Sequence, residues 1–281
     1  MSVLTINKLT ASVGAEVVGI DSERLATDDG IAAAVLDALE DNGVLVFRGL
    51  HLEPEAQVAF SQRLGQVDRS ADGHHPVSGI YPITLDQTKN KAAEYLRATF
   101  DWHIDGCTPL HDECPQKATV LSAIEVAARG GETEFANAYA AYESLTEPEK
   151  ERYGSLRVVH SLEASQRRVH PDPTPEQRQR WAARPAHENP LVWTHRSGRR
   201  SLVLGASADH IVGMDLDEGR ALLAELLAHA TTPDKVYRHK WSVGDTVIWD
   251  NQGVLHRAAP YEPNSPRHML RTTVLGVEPI R

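Results

Sequence analysis

Four short β-compatible segments crowd the last third of this 281-residue chain, at residues 236–241, 246–249, 254–257 and 268–274. Gly244-Asp245 and Asn251-Gln252-Gly253 separate the first three. Gaps this short leave no room for the helical crossover that neighbouring parallel strands need, so the strands must turn back through tight connections. Such a meander restricts the fold to a mainly β architecture with flanking helices, of the sandwich or jelly-roll kind. Upstream, apolar periodicity predicts helices over 28–40 and 54–64 around a buried strand at 44–47. Residues 118–126 and 132–135 read as a hairpin closed by Gly130-Gly131. Helices are expected over 137–145 and 147–153, with Asn137 and Thr146 as N-caps, and over 217–229. Short strands are expected at 191–194 and 201–204. The stretch at about 164–190 is rich in Arg, Gln, Pro and His with little apolar periodicity. It reads as a long surface insertion and a candidate lid on one domain spanning 1–281.

Charge removes several functions. Asp and Glu number 39 against 29 Lys and Arg, a net charge of -10, which repels a phosphate backbone and argues against nucleic-acid binding. Apolar runs such as 31–36 and 43–47 fall far short of the roughly 20 residues of a spanning helix, so no membrane segment is expected. The first residues lack the basic start and apolar block of a signal peptide. The two cysteines, Cys107 and Cys114, build no disulfide framework, and a cytoplasmic location is the expectation.

Histidine is the unusual component, with 14 in the chain. A His-x-Asp pair places two metal ligands on one side of an extended segment, because side chains repeat every second residue. Three such clusters of histidine with acid occur: His103-Ile104-Asp105, His111-Asp112-Glu113 and His170-Pro171-Asp172. His170 sits among prolines and charges, and His111 in an acidic loop, where solvated turns are the simpler reading. His103 is flanked by Phe100, Trp102 and Ile104, which can wall a dry site. His256, on the third strand of the C-terminal meander, supplies a second imidazole. Two histidines and a carboxylate leave coordination positions open, as in non-haem Fe(II) oxygenases, although hydrolytic zinc uses the same set. Arg267 and Arg271 lie four apart on the following strand and face one side. Two guanidiniums facing a sheet interior need anions. A zinc-dependent hydrolase and a non-catalytic anion-binding jelly-roll protein stay open on these residues alone.

Taken with its other motifs, the chain resembles the taurine dioxygenase and 2,4-dichlorophenoxyacetate dioxygenase family of Fe(II)- and 2-oxoglutarate-dependent oxygenases. The match runs through Val44-Leu45-Val46-Phe47-Arg48-Gly49, Trp102-His103-Ile104-Asp105, Gly130-Gly131-Glu132-Thr133-Glu134-Phe135, Ala140-Ala141-Tyr142, Trp241-Ser242-Val243-Gly244-Asp245, Ile248-Trp249-Asp250-Asn251, Leu255-His256-Arg257 and the Arg267 to Arg271 segment. It looks closer to the phenoxyacetate branch. The resemblance implies a double-stranded β-helix in which His103, Asp105 and His256 bind Fe(II). It implies Arg267 and the Thr133 hydroxyl on the distal carboxylate of 2-oxoglutarate, Trp249 lining that pocket, and Arg271 on the anionic group of the substrate or the other end of the cosubstrate. Where taurine-binding relatives carry asparagine before the first iron histidine, this chain has Thr99, and His74 or His75 would supply a further substrate contact. The implied reaction consumes O₂ and 2-oxoglutarate and hydroxylates a small anionic substrate, an aryloxy or alkyl carboxylate, sulfonate or sulfate ester. It releases succinate and CO₂, and a carbon hydroxylated beside oxygen, sulfur or nitrogen fragments. A homo-oligomer, dimer or tetramer, is expected.

Overall fold

The computed structural model describes residues 4–70, 75–109 and 114–281. The N-terminal part comprises β1 (Thr5–Lys8), β2 (Ala15–Val18), α1 (Ser22–Thr27), α2 (Asp29–Asn42), β3 (Val44–Phe47), α3 (Pro54–Leu64) and β4 (Tyr81–Ile83), then a 3₁₀ segment at Ala93–Phe100. The middle part comprises β5 (Ala118–Glu125), β6 (Thr133–Asn137), α4 (Ala138–Glu143), α5 (Glu147–Gly154), β7 (Arg157–His160), α6 (Leu162–Arg167), α7 (Pro175–Ala182), β8 (His187–Pro190), β9 (Val192–Thr194), β10 (Arg200–Leu202) and β11 (Ala208–Ile211). Then come α8 (Leu216–Ala230), β12 (Val236–His239), β13 (Thr246–Asp250), β14 (Val254–Ala258) and β15 (His268–Val274). None of the described helices is long and apolar enough to cross a membrane.

A seven-stranded sheet, ordered β1-β2-β3-β13-β5-β15-β4, faces a three-stranded sheet, ordered β12-β6-β14. Strand β3 carries four consecutive apolar residues because both faces of the large sheet are covered. Val44 and Val46 point into the space between the sheets, packing with Leu121, Val247 and Trp249 against Phe135, Tyr237 and Val254 of the small sheet. Leu45 and Phe47 point the other way, into α1–α3 through Leu25, Val35, Leu39 and Phe60. The period of two along a strand thus feeds two separate cores.

Helix boundaries follow local capping chemistry. Asp28 caps α2 through the Gly30 and Ile31 amides, and Gly43 ends it at φ 69°. Asn137 caps α4, and Glu149 returns to the Thr146 amide at 2.8 Å to open α5.

Three expectations need correction. The C-terminal strands do not form a meander: β12 and β14 lie in the small sheet and β13 and β15 in the large one, so no two consecutive strands of the four pair. The hairpin across Gly130-Gly131 does not form. Strand β5 pairs with β13 and β15, whereas β6 pairs with β12 and β14 in the opposite sheet. The seven residues between β5 and β6, 126–132, carry the chain across the core, a route that two adjacent apolar strands cannot reveal. The 164–190 stretch is also more ordered than its polarity suggests. Thr174 opens α7 by accepting from the Gln177 amide while the Gln177 side chain accepts from the Thr174 amide, and Trp181 is 2% exposed. One buried indole and a capping box replace the missing apolar stripe.

Asp245, at the entry to β13, ties the end of β3 to the end of β12 in the small sheet. Its carboxylate accepts from Arg48 Nη1 at 2.8 Å, Gly49 N at 3.1 Å and Ser242 N at 3.0 Å, beside His239 Nε2 at 3.3 Å. Burial alone would raise its pKa, but these donors outweigh burial and bring it from 3.8 to about 2. A depressed carboxylate pKa stabilises the fold above the unfolded value and is lost as pH falls through the folded one. Asp245→Asn is therefore expected to lower the melting temperature equally at pH 7 and pH 5. The gap to wild type should shrink only below about pH 4, as thermal denaturation across pH will show.

Candidate metal centre and adjoining cavities

The segment around His103 is short and irregular, yet its backbone docks on the free edge of β14. His103 N donates to His256 O at 3.0 Å, and His256 N donates to His103 O at 2.9 Å. Residues exchanging both bonds across an antiparallel bridge lie directly opposite, so their side chains share a face. The two rings accordingly lie 4.1 Å apart between centroids. Asp105, two residues on, returns to the same side. Its Oδ1 is 3.8 Å from His103 Nε2 and its Oδ2 is 3.8 Å from His256 Nε2. One atom from each residue lies within 4.8 Å of the others, and among the described residues no other His, Cys, Asp and Glu combination does this. His170 packs instead beside Trp181, and His111 falls outside the described residues.

Protonation suits a cation. Burial and the neighbouring His103 bring the His256 pKa down to about 3, leaving a neutral imidazole. Burial opposes ionisation of Asp105, but His256, Arg271, His103 and the Thr119 hydroxyl outweigh it and keep the carboxylate below its usual range. His103 Nδ1 faces the Asp101 carbonyl at 2.9 Å, so that nitrogen carries the proton and Nε2 keeps its lone pair. Two imidazoles and one carboxylate, each offering one atom to a common point, can hold a divalent ion with positions left open.

The β13–β14 turn sets the position of His256. Gly253 sits against Tyr139, and a Cβ there would lie 1.7 Å from Cε2 of that ring. Only glycine lets the turn pass this close to the Tyr139 ring.

An inner cavity of about 70 Å³ lies between the two sheets. Leu121, Trp249 and Arg271 line it from the large sheet, Thr133, His256 and Ala258 from the small one, with Tyr261 and Arg267 from the segment between β14 and β15. Arg267 is 2% exposed. Its Nε donates to Gly131 O at 3.3 Å and its guanidinium lies 4.9 Å from the Tyr261 ring centroid. No carboxylate among the described residues lies within ion-pair range of it. A buried guanidinium without a counter-ion is costly unless a ligand supplies the anion. Thr133 Oγ1 accepts from Trp241 Nε1 at 2.9 Å, which leaves its proton to donate. Gly131, at φ 74°, makes room for Arg267, whose Cδ a Cβ would approach to 3.0 Å. Trp249 packs 4.8 Å from the His256 ring.

An outer cleft of about 350 Å³ opens on the other side of the three ligands. Thr99, His103, Asp105 and Arg271 line both spaces. Arg271 Nη1 is 3.9 Å from Asp105 Oδ2, its plane lies over Tyr81, and its Nε is buried without a partner among the described residues. The Thr99 hydroxyl donates to Leu96 O at 2.6 Å. Leu162, then Ser165, Gln166 and Arg184 of the 164–190 region, and Tyr95 of the 3₁₀ segment complete the walls. Cys107 also lines it, and burial with Asp105 nearby pushes its thiol up to about 12, so it stays protonated. His75 lines neither space: its Nδ1 accepts from Val77 N at 3.1 Å. His74 lies outside the described residues. A larger groove of about 730 Å³ between α6 and α8 touches Trp102 but none of the three ligands. Sequence reasoning did not find Tyr261, Arg184 or Thr119. The first two sit in polar segments without periodicity, and Thr119 looks like any residue of an apolar strand.

Residues 5–273 match the family described as taurine catabolism dioxygenase TauD, TfdA. An alpha-ketoglutarate-dependent 2,4-dichlorophenoxyacetate dioxygenase of Burkholderia sp. (strain RASC) is 38% identical over 256 residues, covering 86% of this chain and 84% of the relative. An alpha-ketoglutarate-dependent sulfate ester dioxygenase of Pseudomonas putida is 32% identical over 286 residues, covering 99% and 91%. The crystal structure of AAD-2 with Mn(II) and N-oxalylglycine superposes with a TM-score of 0.82 at 33% identity, covering 99% of this chain and 100% of that one. On these matches, the chain belongs to the TauD/TfdA dioxygenase family, on its phenoxyacetate side.

Proposed function

We propose that this chain is an Fe(II)- and 2-oxoglutarate-dependent dioxygenase that hydroxylates a small anionic organic substrate, with His103, Asp105 and His256 as the iron ligands. The carrying observation is the buried, counter-ion-free Arg267 at the far end of the cavity that starts at these ligands. A ligand with a carboxylate at each end satisfies both, one end toward the metal and the other at Arg267 and the Thr133 hydroxyl. Mn(II) and N-oxalylglycine, which mimic Fe(II) and 2-oxoglutarate, occupy the AAD-2 structure. We read the two facing sheets as the walls of a double-stranded β-helix within one domain spanning 1–281.

Iron bound there supplies the redox chemistry, coupling decarboxylation of 2-oxoglutarate by O₂ to oxidation of a C–H bond, with succinate and CO₂ as the other products. The residues do the rest. Trp249, Leu121 and Ile83 keep the inner cavity apolar around its polar ends, so that electrostatic attraction to the cosubstrate is weakly screened. Arg271, shared by both spaces, holds the anionic group of the substrate at the metal end of the outer cleft. The 164–190 region acts as the wall that covers it. Aryloxy and alkyl carboxylates, sulfonates and sulfate esters all fit such a cleft, and hydroxylation beside their heteroatom releases fragments. A zinc hydrolase leaves Arg267 without a role, and a metal-free anion binder leaves the His103–Asp105–His256 cluster without one.

Four outcomes test this reading. His103→Ala or His256→Ala is expected to abolish succinate release from 2-oxoglutarate and the visible charge-transfer band formed anaerobically with Fe(II), and undiminished succinate release sinks the assignment. Arg267→Ala should raise the KM for 2-oxoglutarate by about tenfold to a hundredfold, the size expected for a lost charge-assisted pair. Gly131→Ala should raise the same constant without touching metal affinity. Arg184→Ala should change the KM for the organic substrate alone, measured across a panel of sulfonates, sulfate esters and aryloxy acids scored by succinate.

A further inference from the structure

The cluster of polar side chains behind Asp105 is buried, belongs to neither cavity end, and is unused in the mechanism above. Thr119 and Asn251 are both 0% exposed. Asn251 Nδ2 donates to Thr119 Oγ1 at 2.9 Å, and Thr119 Oγ1 donates onward to Asp105 Oδ2 at 3.5 Å. Thr119 sits on β5, held between β13 and β15 by its pairing with Trp249 and Thr273. Asn251 is fixed in the β13–β14 turn by its backbone amide on Lys117 O at 3.0 Å. The two side chains therefore stand on the rigid sheet, whereas Asp105 stands in a short irregular segment.

The direction of the chain of hydrogen bonds is set by charge. An ionised Asp105 is an acceptor only, and Thr119 has a single proton to give. That proton must face Asp105, so the Thr119 lone pairs face Asn251, which must present its NH₂ group. Asn251 Oδ1 is left buried without a partner among the described residues, a penalty that the opposite amide orientation would trade for an undonated carboxylate. We propose that Thr119 and Asn251 are positioning residues for the metal ligand Asp105, a brace that fixes one carboxylate oxygen from the sheet and holds the third ligand in register with the two histidines. Ligating carboxylates are generally hydrogen-bonded in this way, and loss of such a partner weakens metal binding by about 10–100-fold.

The inference rests on His103, Asp105 and His256 being the metal ligands, and Mn(II) titration of the full chain tests both statements separately. Absence of Mn(II) binding by the wild type, or its persistence in His103→Ala, overturns the ligand assignment itself. Given wild-type binding, Thr119→Val, close in shape and lacking the hydroxyl, is expected to raise the Mn(II) Kd by about 10–100-fold at a melting temperature near that of the wild type. Thr119→Ser, which keeps the donor, should bring the Kd back to within a few-fold. Asn251→Ala should weaken binding several-fold on its own and have no further effect in the Thr119→Val background, the non-additivity expected of one coupled unit. Thr119→Val that melts cooperatively and binds Mn(II) like the wild type overturns the brace, as does Thr119→Ser no better than Thr119→Val. Should Thr119→Val not melt cooperatively, Asn251→Ala carries the test, and wild-type affinity in that variant overturns the proposal. The charge-transfer band with Fe(II) and 2-oxoglutarate should shift in Thr119→Val and return in Thr119→Ser, a signature that altered packing alone would not move.

Discussion

Two backbone hydrogen bonds between His103 and His256 hold together residues more than 150 positions apart, and everything chemical in the molecule is arranged around them. A side chain placed by its own loop could sit in many orientations. A side chain placed by direct antiparallel pairing has one, because the exchanged pair fixes both Cβ directions to one face. The small sheet thereby extends by one bridge, and Asp105 follows on the same face through the two-residue period. Order in the rest of the cluster comes from the rigidity of β14, itself paired to β6 along five residues.

The second constraint is electrostatic. The chain is acidic overall, yet the cavity between its sheets ends at Arg267 and passes Arg271. Net charge governs long-range behaviour, while the local field in a narrow apolar space is governed by the few charges that face it. Arg267 keeps its position through Gly131, whose carbonyl accepts from it and whose missing Cβ gives its side chain passage. The Gly130-Gly131 pair thus lies against the Arg267 end of the cavity, and its place between β5 and β6 is where the chain crosses from one sheet to the other.

Much of the element pattern was legible because it is set by nearest neighbours. The β15 strand, α3 and the caps of α2, α4 and α5 follow from periodicity of two or 3.6, from Pro at a helix start and from side chains that satisfy free amides. Misreadings arose where distance along the chain stops being informative. Strands β5 and β6 look like a hairpin by spacing, but each buries its apolar face better against strands from the C-terminal third. Trp181 lies in a polar stretch, and one large indole in the core anchors what composition alone marks as surface. His75 had the right residue type near the right place, and its ring turned to a local amide instead.

By itself, then, the sequence determined the donor types present and the family to which the chain belongs. His103, Asp105 and His256, which the fold brings together, and Arg267 and Thr133, which it buries, stood out as candidates because their motifs are local and polar groups of this kind are costly to bury without a purpose. Tertiary structure alone decided that Arg267 has no carboxylate partner among the described residues, that Thr119 and Asn251 stand behind Asp105, and that Tyr95 and Arg184 face one another's cleft. These are relations between segments brought together by sheet pairing and burial, and no spacing along a chain encodes which distant surfaces water will exclude together.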